Sequence, residues 1–474
     1  MLLILGSAAW LRFKDLGREG LWLDELFSLQ SSAGRGSASE RVPHNVWLDN
    51  PAPVTPLDGA GPWWTIWTSQ GGEVHPPLYY MLLRGWRELF GDGDAALRVP
   101  SVLMSLAVVW LVYVIGKMHH GPDVALWACA LMAVAAPQIQ YAQEARPYAM
   151  LTLMCLIACW AVLAVEHRGY TRRRAATFAV AWGVMMLTQY TALAPVAALV
   201  VYALVRLRGD ARRRMLLALV AVATVVAVAW GPFLWEQLSA PTPSDWMQED
   251  PDGHVVRALS RIATAPLRLL AQPPSTTSAL VLGMGLLWYI LPIFLLRRRP
   301  DLLIWCLVGG PAIAQAAVPD LLRPASHLAI VRYFILAAPA LYLLIAAMTS
   351  HFRPRIRHLL PATVLLYCVV SLGEAFPRMK EDWREVAQVI ASGSHPGEPV
   401  ILGVPPPTLG IGNLFIGTSH YMRTYPGPVL LATSPLTPDL MRRLDGQESA
   451  WLLMGWIIVP LDEFVPRWKP IWVR

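Results

Sequence analysis

Residues 215–235 read MLLALVAVATVVAVAWGPFLW, a run without one charged side chain. Roughly 18 or more such residues in a row suit a helix crossing a bilayer, where every backbone polar group must be paired internally. The pattern repeats along the chain: residues 99–116, 148–165, 175–205, 278–296, 302–319, 333–350 and 359–373 are also free of charge. Of the 474 residues, 55% are hydrophobic and 15% charged, whereas a soluble domain carries about 25% charge. The sequence is that of an integral membrane protein.

The formal charge of +7 does not point to nucleic acid, because the arginines are confined to short loops. They fall at Arg168 with Arg172, Arg173 and Arg174; at Arg206, Arg208, Arg212, Arg213 and Arg214; at Arg297, Arg298 and Arg299; and at Arg353, Arg355 and Arg357. Positive-inside bias accounts for all of them. The five cysteines (Cys129, Cys155, Cys159, Cys306, Cys368) lie in apolar runs, so no disulfide framework or thiolate metal site is expected.

Placing the arginine loops inside fixes the rest by alternation. Residues 143–147, 236–278, 320–332 and everything after 374 fall outside. The stretch 175–207 is too long for one crossing and is expected to be two spans around an outer turn at Thr188-Gln189-Tyr190-Thr191. The stretch 75–90 cannot cross, since Arg84, Arg87 and Glu88 interrupt it; Pro76 and Pro77 suit a helix start, giving an amphipathic helix at the outer interface. The count is eleven spans. The first, residues 1–11, is short and lacks the basic segment and cleavage site of a signal peptide, so a start assigned too far downstream or a truncated chain is expected.

Two stretches are not membrane-like. Residues 17–98 form an outer loop rich in Pro, Gly and Trp. Residues 374–474 alternate apolar strands (399–404, 429–432, 451–456) with helical patterns (383–390, 438–444), the mark of a small α/β domain. Gly410-Ile411-Gly412 lacks the third glycine of a dinucleotide loop.

Polar groups collect on the outer side. Trp22-Leu23-Asp24-Glu25 follows the first apolar segment, and His75-Pro76-Pro77-Leu78-Tyr79-Tyr80 opens the interfacial helix. Arg98-Val99-Pro100-Ser101 opens the second span, Tyr141-Ala142-Gln143-Glu144-Ala145-Arg146-Pro147-Tyr148 lies between the third and fourth, and Arg332-Tyr333 opens the tenth. Each also has a plainer role. Arginines at span ends reach lipid headgroups, His75 can cap a helix, and tyrosines populate interfacial belts. Carboxylates flanked by Leu21, Trp22, Leu23, Leu26 and Phe27 are costly to desolvate, which marks Asp24 and Glu25 as functional. Together these groups suit a carboxylate base activating an acceptor while arginines neutralise a phosphate leaving group.

These strings, in this order, resemble the GT-C glycosyltransferases, in the branch of the protein O-mannosyltransferases and the lipid A aminoarabinose transferases. The resemblance implies an α-helical polytopic membrane protein of GT-C fold with about 11 transmembrane helices and a small C-terminal α/β periplasmic domain. Residues 1–373 would be the catalytic membrane domain, with 17–98 its first periplasmic loop, and 374–474 the soluble domain. It implies inverting transfer of a sugar from a polyprenyl-phosphate-linked donor to a lipid, protein or glycan acceptor, at the periplasmic face of a bacterial inner membrane. Asp24 matches the family's proposed catalytic aspartate and Glu25 its acidic neighbour. His75, Arg98, Glu144, Arg146, Tyr148, Arg332 and Tyr333 would serve the donor and its phosphate. The chain departs from many relatives at Gln189, where they carry a histidine before the tyrosine. The C-terminal region is a poor match to the MIR domain of O-mannosyltransferases. No usual metal-ligand spacing appears, and a divalent metal is left open. Beside membrane lipids, no nucleic-acid partner is expected.

Two rival classes stand against the enzyme. A transporter or flippase of a lipid-linked substrate would place charged groups at mid-span or break helices in paired positions, whereas these spans are charge-free. A non-catalytic envelope assembly protein would use the C-terminal domain for docking.

Overall fold

The computed structural model describes residues 1–69, 75–239, 247–271, 278–354, 356–376, 380–395, 397–403, 410–423, 425–433 and 436–454. The helices begin with α1 (Leu2–Phe13), α2 (Leu23–Ser32), α3 (Trp64–Thr68), α4 (Leu78–Phe90), α5 (Asp94–His119) and α6 (Pro122–Val134). They continue with α7 (Ala136–Ala142), α8 (Tyr148–Arg168), α9 (Arg172–Met186), α10 (Leu193–Arg206), α11 (Gly209–Ser239), α12 (His254–Arg268) and α13 (Ala279–Leu295). The last are α14 (Leu303–Leu322), α15 (Ala337–Met348), α16 (Leu359–Val370), α17 (Trp383–Gly393), α18 (Ile411–Tyr421) and α19 (Pro438–Met441). Four short strands complete the set: β1 (Trp47–Leu48), β2 (Val400–Gly403), β3 (Val429–Ala432) and β4 (Trp451–Met454). The chain is thus an α-helical polytopic membrane protein with a small C-terminal sheet.

Each of the eleven apolar segments is helical: α1, α5, α6 with α7, α8, α9, α10, α11, α13, α14, α15 and α16. Among the described residues, four helices are long and apolar enough to cross a membrane: Asp94–His119, Tyr148–Arg168, Gly209–Ser239 and Pro300–Leu322. The pair α6 and α7, bent by 61°, makes a fifth if taken as one span, and five further apolar helices are shorter, at 10–17 residues. The stretch 175–207 breaks where its length demands. α9 stops at Met186, Tyr190–Ala192 forms a 3-10 turn, and α10 starts at Leu193, with Thr188 and Gln189 buried in the break.

The chain divides into two compact units. The first comprises Met1–Leu16, Val74–Tyr79 and Ala95–Arg378; the second comprises Gly17–Glu73, Tyr80–Asp94 and Met379–Arg474.

In the first unit, Pro137 opens α7 and the backbone at Ala135 is extended, so the last carbonyls of α6 have no helical partner. Arg12 supplies one. Its guanidinium donates to Ala133 O and Met132 O, both at 2.9 Å, and its Nε donates to Ser105 Oγ at 2.8 Å. Gln143 returns the favour: its Nε2 donates to Arg12 O at 3.0 Å and Lys14 O at 2.7 Å, closing the C-terminus of α1. The end of α6 is thus capped from α1, and the end of α1 from the residue that closes α7. This fixes the stretch running from α7 into Glu144 and Arg146.

The second unit is built on a sheet of order β1-β3-β2-β4. β2 runs parallel to β3 and β4, with Val400 opposite Val429 and Trp451; β1, from the segment between α2 and α3, pairs antiparallel with β3. The strands and helices expected after residue 374 are present. Val404, Gly455 and Trp456, expected as strand ends, lie outside the described residues. Ile401, Leu430, Ala432 and Leu444 form the apolar centre, and Trp47 Nε1 donates to Leu440 O at 3.0 Å.

α4 starts directly after Pro76 and Pro77, as expected, and is 13 residues long. Arg84 pairs with Glu88 at 2.6 Å. Arg87 is not at the surface. It is buried, holds Asp92 through Nε at 2.7 Å and Nη2 at 2.9 Å, and donates to Leu29 O, Ser32 Oγ and Thr55 O at 2.7–2.8 Å.

Candidate active site

The Trp-Leu-Asp-Glu string forms the entry to α2 in the second unit. Trp22 is the N-cap, and Asp24 and Glu25 occupy the first turn. Glu25 is fully buried and its Oε2 accepts from Trp22 N at 3.3 Å, the reciprocal half of a capping box. Asp24 is only half-buried. It sits where unsatisfied amides and the helix dipole favour negative charge. Two adjacent carboxylates thereby differ in burial: Glu25 is enclosed and bonded to the backbone of the cap, and Asp24 is partly open to solvent. Lys380 lies over the Trp22 ring, its Nζ 3.9 Å from the centroid, and adds a cation beside the string.

In the first unit, several residues marked from sequence come together. Arg146 is buried and its Nη2 donates to His75 Nε2 at 3.2 Å, a bond that requires the lone pair on Nε2. The guanidinium also lies 5.8 Å from the Tyr148 ring centroid. Tyr148 packs edge-on against Tyr141 at 5.3 Å. Tyr141 in turn meets the backbone of Arg332 and feels the charges of Glu144 and Arg332. Arg332 stacks on its neighbour Tyr333 at 5.6 Å. His75, Glu144, Arg146, Tyr148, Arg332 and Tyr333 thus form a connected set through Tyr141. A small cleft of about 10 Å³, room for about one water, opens on the same two tyrosines, with Gln138, Thr152, Ser105 and Ile335 in its wall.

Arg98 has a distinct setting. It is buried on α5 and donates from Nη1 to Leu16 O at 2.8 Å, which ties the end of the first segment to the second.

Sequence reading missed the groups that hold these side chains in place. Tyr141 was quoted only as part of a string, yet it links the two arginine-bearing stretches. Asp320, 1% exposed at the end of α14, accepts from His327 N at 2.9 Å, Leu328 N at 2.8 Å and His327 Nδ1 at 2.9 Å. His327 packs against Tyr333 at 5.5 Å. Asp320 therefore pins the 3-10 turns that carry Arg332. An acidic residue closing an apolar helix just before an arginine loop was the available signal. Among the described residues no group of three or more His, Cys, Asp or Glu is arranged to hold a metal ion.

Residues 74–235 match the family model described as dolichyl-phosphate-mannose-protein mannosyltransferase, about a third of the chain. That match contains the His-Pro-Pro, Arg-Val-Pro-Ser and Gln-Glu-Ala-Arg-Pro-Tyr strings on which the resemblance to the O-mannosyltransferase branch rests, and agrees with it over this stretch. Among solved structures, the fold is similar to ArnT from Cupriavidus metallidurans in the apo state, at 16% identity and TM-score 0.40, covering 88% of this chain and 84% of that one. It is similar to the Archaeoglobus fulgidus oligosaccharyltransferase in complex with Zn and sulfate, at 12% identity and TM-score 0.46, covering 91% and 62%. It is also similar to the arabinofuranosyltransferase AftD from Mycobacteria, at 14% identity and TM-score 0.46, covering 92% of this chain and 32% of that one. No curated protein sequence matches.

Proposed function

We propose that this chain is an inverting glycosyltransferase that takes a sugar from a polyprenyl-phosphate-linked donor and passes it to an envelope acceptor on the periplasmic face of a bacterial inner membrane. The observation that carries the reading is the division of labour in the first turn of α2. Glu25 is buried in the cap, and Asp24, one residue earlier, is half-buried at the start of the helix.

In the reaction, Asp24 accepts the proton of the acceptor hydroxyl as that oxygen attacks the anomeric carbon. The bond from this carbon to the phosphate oxygen breaks, and its electron pair leaves with the lipid phosphate. Attack from the face opposite the phosphate inverts the anomeric centre. Charge grows on the phosphate as the bond opens, and guanidinium groups stabilise it through paired N–H donors. Arg146 and Arg332 are assigned that role, with His75, Glu144, Tyr148 and Tyr333 setting their positions. The buried Arg98 holds the start of α5. On a count of eleven crossings with the arginine loops cytoplasmic, these groups lie outside.

The test uses the full chain in liposomes with a panel of synthetic undecaprenyl-phosphate-linked hexoses and pentoses, plus envelope extract as acceptor. Release of undecaprenyl phosphate is read by mass spectrometry. Asp24→Asn keeps the shape and removes the base, which typically costs about 10²–10⁴-fold in rate. Turnover by Asp24→Asn at the wild-type rate would sink the assignment.

A further inference from the structure

The approach to α2 is held by side chains from far along the chain, all within the second unit. Leu21 N donates to Tyr421 Oη at 2.6 Å, and that hydroxyl donates to Asp94 Oδ2 at 2.8 Å. Arg384 Nη1 lies 3.5 Å from Asp94 Oδ2. The same guanidinium donates to Gly17 O at 3.3 and 3.2 Å and to Arg18 O at 2.8 Å. Residues 17–21 are thus fastened at successive carbonyls and one amide, a single turn before Asp24.

Tyr421 reaches this point because α18 lies hard against α17. A Cβ on Gly417 would stand 2.2 Å from the Trp383 ring, so only glycine admits the contact. The phenol uses its acceptor on Leu21 and its donor on Asp94, which leaves it one orientation. Burial first, and then the negative charge of Asp94, raise the Tyr421 hydroxyl above its ordinary value. It therefore remains a donor at neutral pH. The neighbouring chain is as close: a Cβ on Gly20 would meet Arg384 Cβ at 3.0 Å.

We infer that Tyr421, supported by Asp94 and Arg384, is a positioning residue for Asp24, so that the C-terminal segment sets the aim of the base without touching substrate. The inference rests on the reading of Asp24 as the base. A base held within about half an ångström of its working position loses rate steeply when displaced, and a shift near 1 Å can cost about 10²-fold. Removing one hydroxyl from the relay lets the entry to α2 move while the fold remains.

The experiment compares Tyr421→Phe, Asp94→Asn and Asp24→Asn with the wild type as full chains in liposomes, using whichever synthetic undecaprenyl-phosphate sugar supports turnover. Tyr421→Phe is expected to lower kcat about 10- to 100-fold while donor KM stays within about 2-fold and the thermal midpoint within a few degrees. Asp94→Asn, which keeps an acceptor oxygen for Tyr421 but removes the charge facing Arg384, should lower kcat less, again at constant KM. If Tyr421→Phe does not fold, Asp94→Asn decides alone. An unchanged kcat in the folded variants overturns the inference. So does a fall in kcat that tracks lost thermal stability and a rising KM, since a merely structural role would do that. Asp24→Asn separates the two layers. If it is inactive while Tyr421→Phe works normally, only the positioning role falls; if it turns over like the wild type, the base assignment falls and takes the positioning role with it.

Discussion

Two buried arginines show how differently the two units use charge. Arg12 in the first unit has backbone carbonyls and one serine as its hydrogen-bond acceptors. Arg87 in the second unit grips a carboxylate, Asp92, and then reaches two carbonyls and Ser32. Where helices break within an apolar medium, orphaned carbonyls are the costly groups, and a cation is spent on them. In the second unit water can reach part of the network, through the partly exposed Asp92. Burial alone would raise Asp92, but its bonds to Arg87 outweigh this and hold the carboxyl below the usual range.

The comparison predicts an order of costs. Arg12→Met should be the most damaging to stability, about 3–5 kcal/mol, because it strips several charge-assisted bonds at once from groups that water cannot reach. Arg87→Met should cost about 2–3 kcal/mol, and adding Asp92→Asn should recover part of it, since the stranded charge is then gone. Thermal unfolding of the detergent-solubilised variants checks both. An Arg87→Met variant less stable than Arg12→Met would invert the comparison.

The second unit should also be acid-sensitive. His420 is buried beside Arg423, and burial first, then that cation, pushes it from 6.5 down to about 3. It stays neutral in the fold, while the unfolded chain binds a proton below 6.5. Stability is therefore complete above about pH 6.5 and falls as the pH drops from 6.5 towards 3, by about 1.4 kcal/mol per pH unit. His420→Gln should flatten that slope in tryptophan-monitored unfolding between pH 7 and 5. A slope equal to the wild type's would show that the proton is taken up elsewhere.

Smaller effects sharpen the functional side. Arg332→Lys keeps the charge but loses the planar fork, so donor KM should rise about 5- to 10-fold, and further in Arg332→Ala. Equal KM in both variants and the wild type would make Arg332 a headgroup anchor. Glu25→Gln retains an oxygen for the Trp22 amide, so its cost should be the smallest, within about 1 kcal/mol of cap energy and a few-fold in rate. A loss as deep as that of Asp24→Asn would return Glu25 to the chemistry.

The membrane helices were legible because freedom from charge over a bilayer's length has one solution. Even the break at 188–191 followed from length alone. The C-terminal strands were legible from alternation. β1 was not, since Trp47 and Leu48 are too few to show a period and their partner lies in a distant segment. α18 was hidden by its glycines, which lower helix propensity. They are there for close approach, Gly417 to Trp383 and Gly412 to the backbone at Ser39. At the site, the string carrying Asp24 was readable. The pairing of His75 with Arg146, 71 residues apart, and the capping role of Glu25 depend on tertiary placement that no local pattern encodes.

The sheet of the second unit imposes an order in time. β1 ends at Leu48 and its partner β3 begins at Val429, so at about 5–20 residues per second roughly 380 residues of synthesis pass before the two can meet. For something on the order of 20 to 80 s the nascent chain holds Trp47 and Leu48 without the strand that pairs with them. Any chaperone or protease that reaches the chain meets the unpaired Trp47 and Leu48 in this waiting state. A variant that slows emergence of the last helices would then show itself as reduced abundance before any defect in catalysis.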